Sequence, residues 1–184
     1  MKKVFMTLVA AATLLFAACS GSSTNNGGSA ESGSKAETKA AAEPIIPVDP
    51  AAKLDKTYEG DNFTLQFPSS LSPNAELSKG ESCFIADENE DVVLRGDYFD
   101  WAMQVTMKEY AEQIHHDGVT YEAPIVKEKQ GFVLKGKSDR NTVYHYMVLK
   151  GDKGGVSGSI EFTNDKAAEY DKYVGAIVNS IKFK

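Results

Sequence analysis

The sequence predicts an α+β domain, a central antiparallel β-sheet flanked by two main helices, and three observations predict it. Short runs of apolar residues alternating with polar ones recur between Phe63 and Phe162, separated by turn residues. Two other segments, one opening on Thr106 and one closing the chain, carry apolar residues at helical spacing instead. The strands lie close enough in sequence to be joined as hairpins, and two helices covering such a sheet make an α+β fold.

The first segments lie outside that domain. The 184 residues leave room for one domain once they are set aside. Lys2 and Lys3 make a basic start, residues 4–16 form an apolar run too short to span a bilayer, and Ala17 and Ala18 are the small residues of a cleavage site. Residues 1–18 therefore read as a targeting peptide. Cys19, one of only two cysteines, comes next. The stretch Leu15-Phe16-Ala17-Ala18-Cys19 resembles the lipobox of bacterial lipoproteins, with Phe16 where that motif prefers Leu. The resemblance implies cleavage before Cys19 and acylation of Cys19, which would take up palmitate. The alternative is an ordinary secretory signal followed by a chance cysteine.

Two or more acyl chains hold stably, at about 0.8 kcal/mol per buried methylene. No other run reaches the ~20 apolar residues of a membrane helix, so the membrane is expected to be met through the N-terminal lipid. Ser20 rather than Asp follows Cys19. By resemblance to Gram-negative sorting, that implies the outer membrane; in a Gram-positive cell the address is the outer face of the cell membrane. Residues 20–42 hold no aromatic and no branched aliphatic side chain, too little apolar surface to offset the entropy of ordering. Pro44, Pro47 and Pro50 then favour extended backbone. Residues 19–53 read as a lipidated cysteine and low-complexity tether, and residues 54–184 as one globular domain starting near Leu54.

The whole chain carries a formal charge of −6, and without Lys2 and Lys3 it holds 18 basic against 26 acidic residues, or −8. With no clustered Lys and Arg, nucleic acid is not an expected partner.

Within the domain, Phe63, Leu65 and Phe67 alternate with Thr64 and Gln66, a half-buried strand that Pro68 ends. Residues 83–86 and 92–94 flank the acidic turn 87–91 and predict a hairpin. Phe99, Trp101, Met103 and Val105 alternate with polar or small residues, which predicts a strand, with a helical extension through Trp101 as the alternative. Thr106 and Glu109 have the spacing of a capping box. Met107, Tyr110, Ala111 and Ile114 follow on one helical face, and Gly118 is the expected stop. Strands are expected over residues 125–129, 132–136, 143–149 and 156–162, divided by Gly131, the polar cluster 138–141 and the Gly-rich stretch 151–155. The closing helix is expected to be capped by Asn164 and to bury Tyr170, Tyr173, Val174, Ile177 and Ile181.

This order of elements carries a family resemblance. The opening Tyr58-Glu59-Gly60-Asp61-Asn62-Phe63-Thr64-Leu65-Gln66-Phe67-Pro68 resembles the aromatic strand and Phe-Pro entry of the Mog1/PsbP-like fold. Thr106 to Ile114 resembles its capped helix, and Asn179-Ser180-Ile181-Lys182-Phe183 is similar to its ending. The resemblance covers most of residues 57–184. It implies an α/β/α sandwich and an accessory or binding role rather than an enzymatic one. Relatives include a photosystem accessory protein, a nuclear-transport factor and many bacterial lipoproteins. No residue here carries either of the first two roles, so neither transfers.

Chemistry-bearing motifs are sparse. Asp87, Asn89 and Asp91 have the spacing that starts an EF-hand loop, but Val92 stands in place of the turn glycine and Tyr98 in place of the bidentate Glu. The run reads as a hairpin tip. His115 and His116 point about 100° apart on a helix and cannot easily share a metal; His145 is the only other imidazole. Cys83, between Ser82 and Phe84, reads as a buried packing residue, since a reactive thiol needs a basic setting. No nucleophile elbow, phosphate loop or dinucleotide fingerprint occurs. The expectation is therefore no catalytic centre, no metal and no cofactor. Tyr98, Phe99 and Trp101 are the candidate lining of a ligand groove, although core packing is the plainer role for them. The expected function is that of a lipid-anchored envelope protein binding another envelope protein or a small ligand. The alternative is a hydrolase or metal-dependent enzyme built from scattered His115, Asp117 and His145.

Overall fold

The structure is a computed structural model and describes residues 43–184. The targeting peptide, Cys19 and the tether through residue 42 lie outside the described residues. In chain order the first elements are β1 (Lys56–Glu59), β2 (Phe63–Phe67), β3 (Ser72–Pro73), β4 (Ser82–Ala86), β5 (Val92–Phe99) and helix α1 (Met107–Gln113). They are followed by β6 (Thr120–Tyr121), β7 (Ile125–Lys127), β8 (Gly131–Lys137), β9 (Asn141–Leu149), β10 (Gly155–Thr163), helix α2 (Ala167–Asn179) and β11 (Lys182–Phe183). The fold is α+β, as the sequence predicts, and every strand pair is antiparallel.

The strands form two sheets rather than one. The larger runs β3-β4-β5-β10-β9-β8-β6, with β7 also on β8, and the smaller runs β1-β2-β11. Strand residues alternate between faces, and the large sheet uses both. Val133, Tyr146, Val156 and Ile160 point to one face, where they join Phe63, Leu65 and Phe67 of β2 and Tyr170, Val174 and Ile177 of α2 in the main core. Phe132, Leu134 and Met147 point the other way and meet Met107 and Ala111 of α1 in a second, smaller core. The low-polarity residues at i, i+4 and i+7 of α2 bury one face of that helix, as its spacing predicts.

Several local expectations are corrected. The strand through Trp101 does not form, because β5 pairs with β10 only from Val92↔Phe162 to Phe99↔Gly155. Beyond Phe99 the partner has already turned away, and residues 100–106 form a loop. Helix α1 has its capping box, with the Thr106 hydroxyl accepting from the Glu109 N–H, but it ends at Gln113, well before Gly118. Ile114 leaves the helix in an extended conformation and packs against the smaller core. Asn164 does not cap α2. Its Oδ1 accepts from the Thr142 hydroxyl and its Nδ2 donates to the Ser138 and Asp139 carbonyls, so the side chain is spent on the neighbouring turn. The expected strand 125–129 is shorter, ending at Lys127.

The folded part also begins before Leu54. Ile45 and Ile46 are buried in the main core. Asn179 clamps this N-terminal strap: its Oδ1 accepts from the Ile45 N–H at 2.9 Å and its Nδ2 donates to the Ile46 carbonyl at 3.0 Å. Gly175 lets the strap lie against α2, since a Cβ there would collide with the Pro47 carbonyl. Among the described residues no helix is long and apolar enough to cross a membrane.

Candidate functional site

Helix α1 has only seven residues and covers only part of its face of the large sheet. A depression lies at each of its ends. At the N-terminal end the loop 100–106 and the Gly-rich β9–β10 turn enclose a groove of about 380 Å³. Its rim carries Trp101, packed at a tilt of 38° against Phe99 with ring centroids 4.8 Å apart. Trp101 remains 50% exposed and Val105 38%, with Met103 between them. Glu128 and Asp152 supply acidic groups to the same groove.

Beyond the C-terminal end of α1 lies a cleft of about 420 Å³. Its floor includes a cross-strand row in which Arg95, Ser159 and His145 sit side by side on β5, β10 and β9; Phe84 of β4 continues the row beside Arg95, outside the cleft. The His116 ring stacks on His145 at 5.2 Å and 18°. The Tyr121 hydroxyl lies 3.3 Å from His145 Nε2, within hydrogen-bond reach. Burial lowers the His145 pKa below the ordinary imidazole value, His116 lowers it further, and Glu161 opposes them. His145 therefore gives up its proton more readily than an ordinary imidazole. Burial also raises the Tyr121 phenol.

The structure separates the aromatic trio read from the sequence. Only Trp101 lines the groove; Phe99 lies behind it, packed against the smaller core, whereas Tyr98, one residue earlier on β5, faces the main core with Lys150 Nζ 5.7 Å from its ring. His115 and Asp117 approach each other at 3.8 Å, but their side chains are 77% and 108% exposed. His145 packs instead against His116. Among the described residues no group of His, Cys, Asp and Glu is arranged to hold a metal. In the acidic turn, Asp87 Oδ1 accepts from the Val92 N–H at 3.0 Å, which closes the hairpin tip. Cys83 is buried at 3% exposure, and desolvation pushes its thiol up to about 12.

Sequence reasoning missed Arg95, Tyr121, Ser159 and Glu161. The signal was present for two of them: Ser157, Ser159 and Glu161 alternate with Val156, Ile160 and Phe162, which marks one face of that strand as polar.

This α+β fold of antiparallel sheets and two helices is similar to the PsbP fold. The solved structure that carries this comparison is the solution structure of cyanobacterial PsbP (CyanoP) from Synechocystis sp. PCC 6803. The two are similar with a TM-score of 0.52 at 8% identity, over 76% of this chain and 99% of that one. A crystal structure from Bacteroides thetaiotaomicron VPI-5482 matches with a TM-score of 0.46 at 12% identity, over 72% of this chain and 49% of that one. No family model and no curated protein matches the chain.

Proposed function

We propose that this chain is a lipid-anchored cell-envelope protein whose PsbP-like domain is a non-enzymatic binding module, holding a ligand or partner protein in the Trp101 groove. One observation carries the binding role. A tryptophan left half in water, braced from beneath by Phe99 and flanked by Met103 and Val105, forms an apolar platform in a concave site. Such platforms supply large contact area at low entropic cost. In this reading the fold is a Mog1/PsbP-like α/β/α sandwich, supported by the two helices packing on opposite faces of the large sheet. The membrane attachment rests on the lipobox-like stretch ending at Cys19. The address is the outer membrane of a Gram-negative cell, or the outer face of a Gram-positive cell membrane.

Affinity capture from detergent-solubilised envelopes, run in parallel with the native chain and Trp101→Ala, tests the groove. The expected outcome is a species retained by the native chain and lost with the variant. Equal retention would move the binding surface elsewhere. The anchor is tested separately by Cys19→Ser, which should abolish incorporation of labelled palmitate.

A further inference from the structure

The cleft beyond the C-terminal end of α1 is a second site, independent of the Trp101 groove. We infer that it binds a small zwitterion with a flat side chain, an aromatic α-amino acid, using Arg95 for the carboxylate, Glu161 for the ammonium and the His116–Tyr121 wall for the ring. The argument starts from two opposite charges held apart. Ser159 of β10 sits directly opposite Arg95 of β5, and Glu161 lies two residues further along β10 on the same face. Diagonal neighbours of this kind have Cβ atoms roughly 7–8 Å apart, within reach of two long side chains. Yet Arg95 and Glu161 form no ion pair among the described residues.

Each is engaged by a different neighbour. The Arg95 guanidinium lies 5.1 Å from the centre of the Phe84 ring, on the side away from β10. Glu161 Oε1 accepts from Asn141 Nδ2 at 2.6 Å. Both still line the cleft. The Arg95 guanidinium donates to no described residue, so its planar fork is free for a carboxylate, the partner it matches with two parallel hydrogen bonds. The second Glu161 oxygen is free for a cation. A molecule carrying both charged groups on one carbon would satisfy Arg95 and Glu161 at once. A plain anion would have to sit beside Glu161, and a plain cation beside Arg95.

The remaining wall selects the body of the ligand. The stacked His116 and His145 rings, Tyr121, Val119 and Val143 present flat and apolar surfaces around about 420 Å³, the lower part of the range for small-molecule sites. The titratable and charged groups around His145 are His116 from the loop after α1, Tyr121 from β6, Arg95 and Asp97 from β5, Tyr110 from α1 and Glu161 from β10; its partner on β8, Leu134, is apolar. The neutral His145 ring, which burial and His116 favour, leaves the Glu161 charge to the ammonium. Acidification would place a cation beside Glu161 and compete for it.

Titration of the native chain with L-phenylalanine, 3-phenylpropionate and phenethylamine, followed by calorimetry and by the histidine ring NMR signals, tests the inference. Phenylalanine should bind saturably, shift the His116 and His145 signals, and bind more weakly at pH 5.5 than at pH 7.5. Each analogue lacks one charge and should bind roughly tenfold or more weaker, the scale of one charge-assisted hydrogen bond. Arg95→Gln and Glu161→Gln, checked for an unchanged thermal melt, should weaken phenylalanine binding by a similar factor. The inference is overturned if phenylalanine gives no saturable shift, if either analogue binds as well, or if both variants bind as the native chain does. Trp101→Ala, which alters the other groove, should leave this titration unchanged.

Discussion

His145 is the residue whose chemistry depends most on its neighbours. Because the folded state lowers its pKa, folding favours the neutral ring and the unfolded chain binds the proton more readily. The stability this contributes is complete above the ordinary imidazole pKa and is lost as pH falls through that value towards the depressed one. Urea denaturation between pH 7.5 and pH 5 should therefore show declining stability in the native chain and a shallower decline in His145→Gln. An equal slope in both would mean that the proton is taken up elsewhere. Thr106 and Cys83 could be read in place from the sequence, because a cap needs only its own helix and an apolar strand buries its own thiol. The His116–His145 stack joins a loop to a strand and depends on tertiary placement. No local pattern announces it.

Strand pairing explains why some elements were legible and others not. The alternation of β2, the hairpin of β4 and β5, and the capping box of α1 are local patterns, and the structure contains each. The end of β5 is not local: alternation continues to Val105, but β10 supplies no partner past Phe99. The β5–β10 pairing also carries a tight constraint. Tyr146 is fully buried, and its hydroxyl donates to the Arg95 carbonyl at 2.7 Å in the space left by Gly96 and Gly158. A Cβ on Gly158 would fall on the Arg95 carbonyl and crowd the Tyr146 hydroxyl. Gly158→Ala should therefore destabilise the domain by roughly 1–3 kcal/mol, the usual cost of overpacking, read as a lower denaturation midpoint. Because Arg95 and Ser159 flank this position, the same variant should also disturb the cleft.

At the scale of the whole molecule, the α+β class was legible from periodicity and the division into two sheets was not. Which strands share a sheet depends on contacts between the ends of the chain, such as β11 pairing with β2 through Lys182↔Thr64 and Phe183↔Phe63. The strap at Ile45 and Ile46 was hidden for a similar reason: beside three prolines and a polar run, two isoleucines give no periodicity. Asn179→Ala removes both clamp bonds and the bond to the Gly175 carbonyl. It should cost roughly 1–3 kcal/mol. Hydrogen exchange should show the Ile45 amide losing protection first, ahead of the β9 and β10 amides.

The Asn179 clamp also has a mechanical consequence. Tension arriving from the N-terminal side would meet the Glu43–Lys127 ion pair first, then Ile45, Ile46 and the Asn179 carboxamide, before any backbone β-ladder. The strap belongs to neither sheet, so its release leaves every strand pairing in place, as a sacrificial link spares the body it guards.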